Sequence, residues 1–91
     1  MKIKKTFVLT TLGDSHIAVP VGKTAASFHG VIRLNQTGAE VFRCLQAGMD
    51  EAQTAKRLTE LFDGTDAETA LRDVREIVEQ FLAAGIVEDE A

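Results

Sequence analysis

VIRLNQTGAE, residues 31–40, holds the change of period on which the fold turns. Val31 to Leu34 alternates like a short strand, with Ile32 and Leu34 on one side and Val31 and Arg33 on the other. Two helix starts then compete: Asn35 as an N-cap, or Thr37 with Glu40 as an S/T-x-x-E capping box. Under either one a helix begins here, and Leu34, directly before the first of these starts, can close over its first turn, so Ile32 and Leu34 are expected to face inward. Upstream of this switch the residues read as sheet, and downstream as helix. That order predicts a small α+β domain whose third strand, leading into the first helix, is a free edge.

Upstream, FVLTTL at Phe7 to Leu12 is β-branched and aromatic enough for a strand, and Gly13-Asp14 is a turn. Ser15 to Val21 alternates, placing Ile17, Val19 and Val21 on one face and His16, Ala18 and Pro20 on the other. The two strands form a hairpin. Pro20 has no ladder donor, so it marks the end of the second strand or a locally unpaired position. Gly22 to Gly30 reads as a loop that brings the third strand into place, with Phe28 as its anchor to the core.

Downstream, Val41, Phe42 and Leu45 follow helical spacing until Ala47-Gly48 ends the first helix. Asp50, with Gln53 as box partner, starts a second helix whose buried stripe is expected to be Ala52, Ala55, Leu58, Leu61 and Phe62. Asp63-Gly64 breaks it. Thr65 with Glu68 is a further capping box and opens the longest helix, which Gly85 terminates. Ile86-Val87 packs back on the domain, and Glu88 to Glu90 forms a solvated, frayed end. Along the last helix Ala67, Ala70, Leu71, Val74, Ile77, Val78, Phe81 and Leu82 span an arc of roughly 140° at about 100° per residue. Either the whole arc packs on the core, or one flank is open to a ligand.

A chain of 91 residues supports one compact core, so residues 1–91 are read as one domain, ordered from about residue 5 to 88. Its 45% hydrophobic and 26% charged content is that of a globular protein. The net charge of −4 opposes binding to nucleic acid or an anionic membrane. Phe7 to Leu12 is too short and too rich in threonine for a signal-peptide core or a membrane span, and the single Cys44 requires no oxidising compartment. A cytoplasmic location is expected.

Catalytic chemistry finds no foothold. Cys44 sits among Glu40, Val41 and Leu45 as a small buried hydrophobe would. His16 and His29 have no metal-ligand spacing, the carboxylates spread over caps and helix faces, and the seven glycines are isolated rather than forming a phosphate loop. No enzyme, metal or cofactor is expected.

Taken together, the strand ending in Leu34-Asn35, the helix start Thr37-Gly38-Ala39, the break Gly48-Met49-Asp50 and the run Leu82-Ala83-Ala84-Gly85-Ile86-Val87 resemble the PqqD-like family. These are stand-alone recognition elements for ribosomally synthesised, modified peptides (RiPPs). The resemblance covers residues from about Lys5 to Glu88. L-N-x-T-G alone is weakly specific; the joint order and spacing are much more so.

The resemblance implies a three-stranded antiparallel sheet followed by three helices, in a winged-helix-like arrangement. It implies a non-catalytic peptide chaperone that binds the leader of a precursor peptide and presents it to a modifying enzyme, often a radical SAM enzyme. The leader would add beside the third strand, in the groove between it and the third helix. Carried over, Val31, Ile32, Arg33 and Leu34 supply the pairing edge, and Leu71, Val74 and Val78 an apolar wall. Arg72 and Arg75 either line its rim, facing acidic leader side chains, or pair within the helix, for example Glu68 with Arg72 or Arg72 with Glu76. A free edge suits such a partner, because it offers ladder hydrogen bonds while alternate side chains enter pockets.

Two readings from other classes compete. A winged-helix DNA-binding protein would present a recognition helix, but Asp66 to Ala84 carries two basic residues against five acidic ones, a net of −3 that repels phosphate. A structural self-association module would pair the same edge with a second copy as a homodimer.

Overall fold

The computed structural model describes residues 2–3, 7–22 and 32–88. Strands β1 (Lys2–Ile3), β2 (Phe7–Leu12), β3 (Ser15–Pro20) and β4 (Ile32–Leu34) precede helices α1 (Gln36–Gln46), α2 (Glu51–Leu61) and α3 (Ala67–Ala84), and β5 (Val87–Glu88) follows them. The main sheet is antiparallel in the order β2-β3-β4, so the α+β arrangement of three strands and then three helices is the one expected. Phe28 and the loop around it lie outside the described residues, as does Val31.

The hairpin turn sets which face of the sheet meets the core. Gly13 has φ 61°, the conformation a first central residue takes in a II′ turn, and Leu12 is thereby held opposite Ser15. Pairing then matches Phe7 to Pro20 and Leu9 to Ala18, and the next ladder matches Ala18 to Ile32 and His16 to Leu34. Phe7, Ala18 and Pro20 are buried, and Leu9, Ile32 and Leu34 pack partly buried against the same core. The opposite face of β3, richer in β-branched residues, stays outside: Ile17 and Val19 are half-buried, and Val8 and Leu12 beside them are exposed. β3 ends at Pro20, where the ladder loses a donor.

Asn35 wins the competition for the first helix start. Its side-chain oxygen accepts the Gly38 N–H at 2.7 Å. Gly38 is buried where a Cβ would come to 3.2 Å from that oxygen and 3.5 Å from the Leu34 Cβ, so glycine lets strand and helix meet closely. Val41, Phe42 and Leu45 are fully buried, and α1 touches β1, β2, β3, β4 and both other helices. Phe42 meets Phe81 of α3 edge to face, with ring centroids 6.2 Å apart.

Asp50 and Gln53 close a reciprocal capping box at the start of α2. The buried stripe there is Thr54, Ala55 and Leu58, with Phe62 half-buried; Ala52 and Leu61, expected inside, are exposed. Thr54 can take an inner position because its hydroxyl donates to the Asp50 carbonyl at 2.7 Å, removing the cost of burying it. The third cap also differs from expectation. Asp66, not Thr65, accepts the Thr69 N–H at 2.7 Å, which leaves Glu68 in the first turn of α3, where its charge faces the positive end of the helix.

Gly85 ends α3 at φ 78°, with the Gly85 N–H on the Leu82 carbonyl and the Ile86 N–H on the Phe81 carbonyl, a Schellman closure. It turns Ile86 into the core and sends Val87 alongside Ile3, in a two-strand ladder of β1 with β5. Glu88 therefore belongs to a strand rather than to a frayed end, because it is held in register with Lys2.

Candidate functional site

Among the described residues β4 is an outer strand of its sheet, paired with β3 on one side only. Beside it, between β4 and α3, runs a groove of about 370 Å³. Arg33, Leu34, Asn35, Thr37 and Gly38 form one bank, and Asp73, Glu76, Ile77, Gln80 and Phe81 the other. The switch from strand to helix thus builds the first bank itself. Spacing by three and four along α3 builds the second, since Asp73, Glu76, Ile77 and Gln80 fall on one flank. Ile77 is half-buried and Phe81 is 2% exposed, so the α3 bank sets these two apolar side chains among Asp73, Glu76 and Gln80.

The nine residues singled out from sequence separate into four groups. Arg33 and Leu34 line the groove, and Ile32 is the next residue along its strand. Val31 lies outside the described residues. Val74 and Val78 are buried core residues. Leu71, Arg72 and Arg75 lie on the other flank of α3, lining a separate depression of about 570 Å³ with Glu68, Thr69, Glu76 and Glu79. The structure therefore does not gather all nine at one place. Ile77, Asp73, Glu76 and Gln80 line the groove without having been singled out; the i, i+3, i+4 pattern that marked Leu71 also contains Ile77, and the neighbour each flank meets is decided only by packing.

The ion pairs follow the same division. Neither intrahelical pairing considered for Arg72 is formed; Arg75 instead reaches Glu51 of α2 at 3.8 Å. Glu40 pairs with Arg43 at 2.6 Å and Glu60 with Arg57 at 3.7 Å. Among the described residues Arg33, Asp73 and Glu76 take part in no salt bridge, so no described side chain neutralises the charges along the groove.

Cys44 is buried against α1's neighbours, and burial pushes its thiol upward, with the Glu40 charge adding and Arg57 opposing. It is held as the protonated thiol, the less nucleophilic form. His16 is within 3.3 Å of the Thr11 hydroxyl on the sheet. Among the described residues no three His, Cys, Asp or Glu side chains are grouped to hold a metal, and no helix is long and apolar enough to cross a membrane.

Comparison with known proteins bears on this architecture. No curated protein matches the chain. Two solved structures share the fold: TbiB1 in complex with the TbiA(beta) leader peptide, and lasso peptide synthetase B1 complexed with the leader peptide. The first is 18% identical with a TM-score of 0.79, covering 100% of this chain and 99% of that one. The second is 18% identical with a TM-score of 0.78, covering 97% and 96%. The family model described as coenzyme PQQ synthesis protein D (PqqD) matches residues 16–87, from β3 through all three helices into β5. By that match, which spans well over half of its length, the chain belongs to the PqqD family.

Proposed function

We propose that this protein is a non-catalytic adaptor that binds the leader segment of a ribosomally made precursor peptide and presents it to a modifying enzyme. The observation that carries the proposal is the edge of β4, paired by no second strand among the described residues, lying along an open groove that Leu34, Ile77 and Phe81 border. An extended peptide laid on that edge gains main-chain hydrogen bonds, while every second side chain enters the groove. Ordering a flexible leader costs entropy, which suits a handover better than permanent storage. Family membership supports the reading, and so does the fold shared with two proteins whose structures contain leader peptides.

In this reading Ile32, Arg33 and Leu34 offer the edge, and Ile77 and Phe81 form the apolar wall from α3. Val74 and Val78 support that wall from beneath. Leu71, Arg72 and Arg75, on the far flank, serve as the control surface. The adaptor works in the cytoplasm, where precursors are made, and its enzyme is of the radical SAM class. It needs no cofactor of its own and no nucleic acid. The free edge also favours a second reading, self-pairing into a homodimer, which would appear as a mass that rises with concentration and is indifferent to peptide.

The test is an amide-shift titration of the labelled protein with the leader half of a short precursor encoded beside it. Saturable shifts concentrated at Ile32 to Leu34 and Asp73 to Phe81 are expected. Binding that moves only the far flank, or no binding by any neighbouring peptide, overturns the proposal.

A further inference from the structure

We propose that the groove selects peptides carrying a lysine or arginine at a position that faces α3. The inference rests on the adaptor reading and adds the chemistry of what that site accepts.

In a strand added beside β4, side chains alternate between the two faces of the enlarged sheet. Register places Leu34 opposite His16 and Ile32 opposite Ala18, on the face that meets the core; Arg33 lies opposite Ile17 on the other face, although its side chain also borders the groove, on the β4 bank across from α3. The groove-facing side chains of an added strand therefore share the face of Ile32 and Leu34 and look across to α3. There they meet Asp73 and Glu76, one turn apart, above Ile77 and Phe81.

Both carboxylates, like Glu68 and Glu79 on the same helix, have no salt-bridge partner among the described residues, whereas Glu40, Glu51 and Glu60 each have an arginine. Glu76 lies on the crest shared with the depression that holds Arg72 and Arg75, and it pairs with neither. Asp73 is half-buried, so an ammonium or guanidinium reaching it is less screened than at an open surface. A long basic side chain fits both layers of this wall. Its methylenes lie over Leu34 and Ile77 while its cationic head rises to the carboxylates. An acidic side chain in the same place would add a third negative charge to the wall.

A displayed library of random twelve-residue peptides, selected on the wild-type protein and on an Asp73→Asn, Glu76→Gln double variant, tests the inference. Both replacements are near-isosteric and keep the helix polar, so the variant is expected to fold; its far-ultraviolet spectrum and melting curve check that. Wild-type selection is expected to enrich one lysine or arginine position set among alternating apolar ones, and the variant to lose that enrichment. Changing that residue to norleucine in a selected peptide should weaken binding to the wild type by about tenfold or more, the size of one charge-assisted contact. The same change should have little effect on the variant. Selected peptides that shift the β4 amides but show no basic preference, or the same preference on both proteins, overturn the charge selection and leave the adaptor reading in place. Failure to select any peptide that shifts the β4 amides overturns both.

Discussion

Asn35 joins the edge strand to α1 through one side-chain hydrogen bond to Gly38. Removing that acceptor leaves a helix N–H unsatisfied, so Asn35→Ala is expected to cost about 1 kcal/mol, seen as a lower urea midpoint at unchanged slope. Asp66 plays the same part for α3, with a charge added. The Thr69 backbone N–H, then its hydroxyl, and more weakly Arg72 hold the Asp66 carboxyl below the usual aspartate range. A carboxylate whose folded pKa is lowered contributes stability above its unfolded pKa and loses it as pH falls through the folded value. The gap in melting temperature between wild type and Asp66→Ala should therefore hold from neutral pH to the ordinary carboxylate range and close below it. The caps also mark the limit of what residues disclose. Asp50 with Gln53 was legible because both halves of the box are present. Asn35 and Thr37 are both competent acceptors, as are Thr65 and Asp66, and only the path of the incoming backbone chooses between them.

For an element, the unknown is phase. Alternation revealed the strands and their lengths, and the 3.6-residue period revealed three helices with apolar arcs, because both follow from side chains repeating on one face. Neither period says which neighbour a flank will meet. In α2 the arc was rotated, since a polar Thr54 with its own internal partner displaced Ala52 from the buried stripe. In α3 the consequence is functional: Leu71 and Ile77 are both half-buried at the margins of one apolar arc, yet only Ile77 borders β4. The edge strand itself was readable from residues 31–34, and the groove wall was not. Ile77→Ala is expected to weaken leader binding about fivefold, roughly the loss of one partly buried aliphatic contact. Leu71→Ala should leave binding unchanged, since Leu71 borders the far depression and the core but not the groove beside β4. Calorimetric titration of both variants with one leader peptide measures the contrast, and equal losses would refute the assignment of flanks.

At the scale of the whole molecule, the ladder between β1 and β5 joins residues from opposite ends of the described chain. Each strand is two residues long, too short to leave a periodic trace, and the contact that makes them strands spans nearly the whole sequence. Local reading could not have found it. Its weight comes from burial: Ile3 is 6% exposed and Val87 4%. Ile3→Ala is expected to lower stability by about 2 kcal/mol, measured by denaturant titration. Native-state hydrogen exchange should show the Ile3 and Val87 amides opening before those of Phe42 and Leu45, since a two-residue ladder is held by few bonds and closes the longest loop in the fold. The same ladder has a bearing on engineering. Because its strands are antiparallel neighbours, the chain enters and leaves the fold about one strand spacing apart, close to 5 Å. The fold could be spliced into a surface loop of a host protein without prising the host's own ends apart, carrying the β4 edge with it as a transplantable peptide dock.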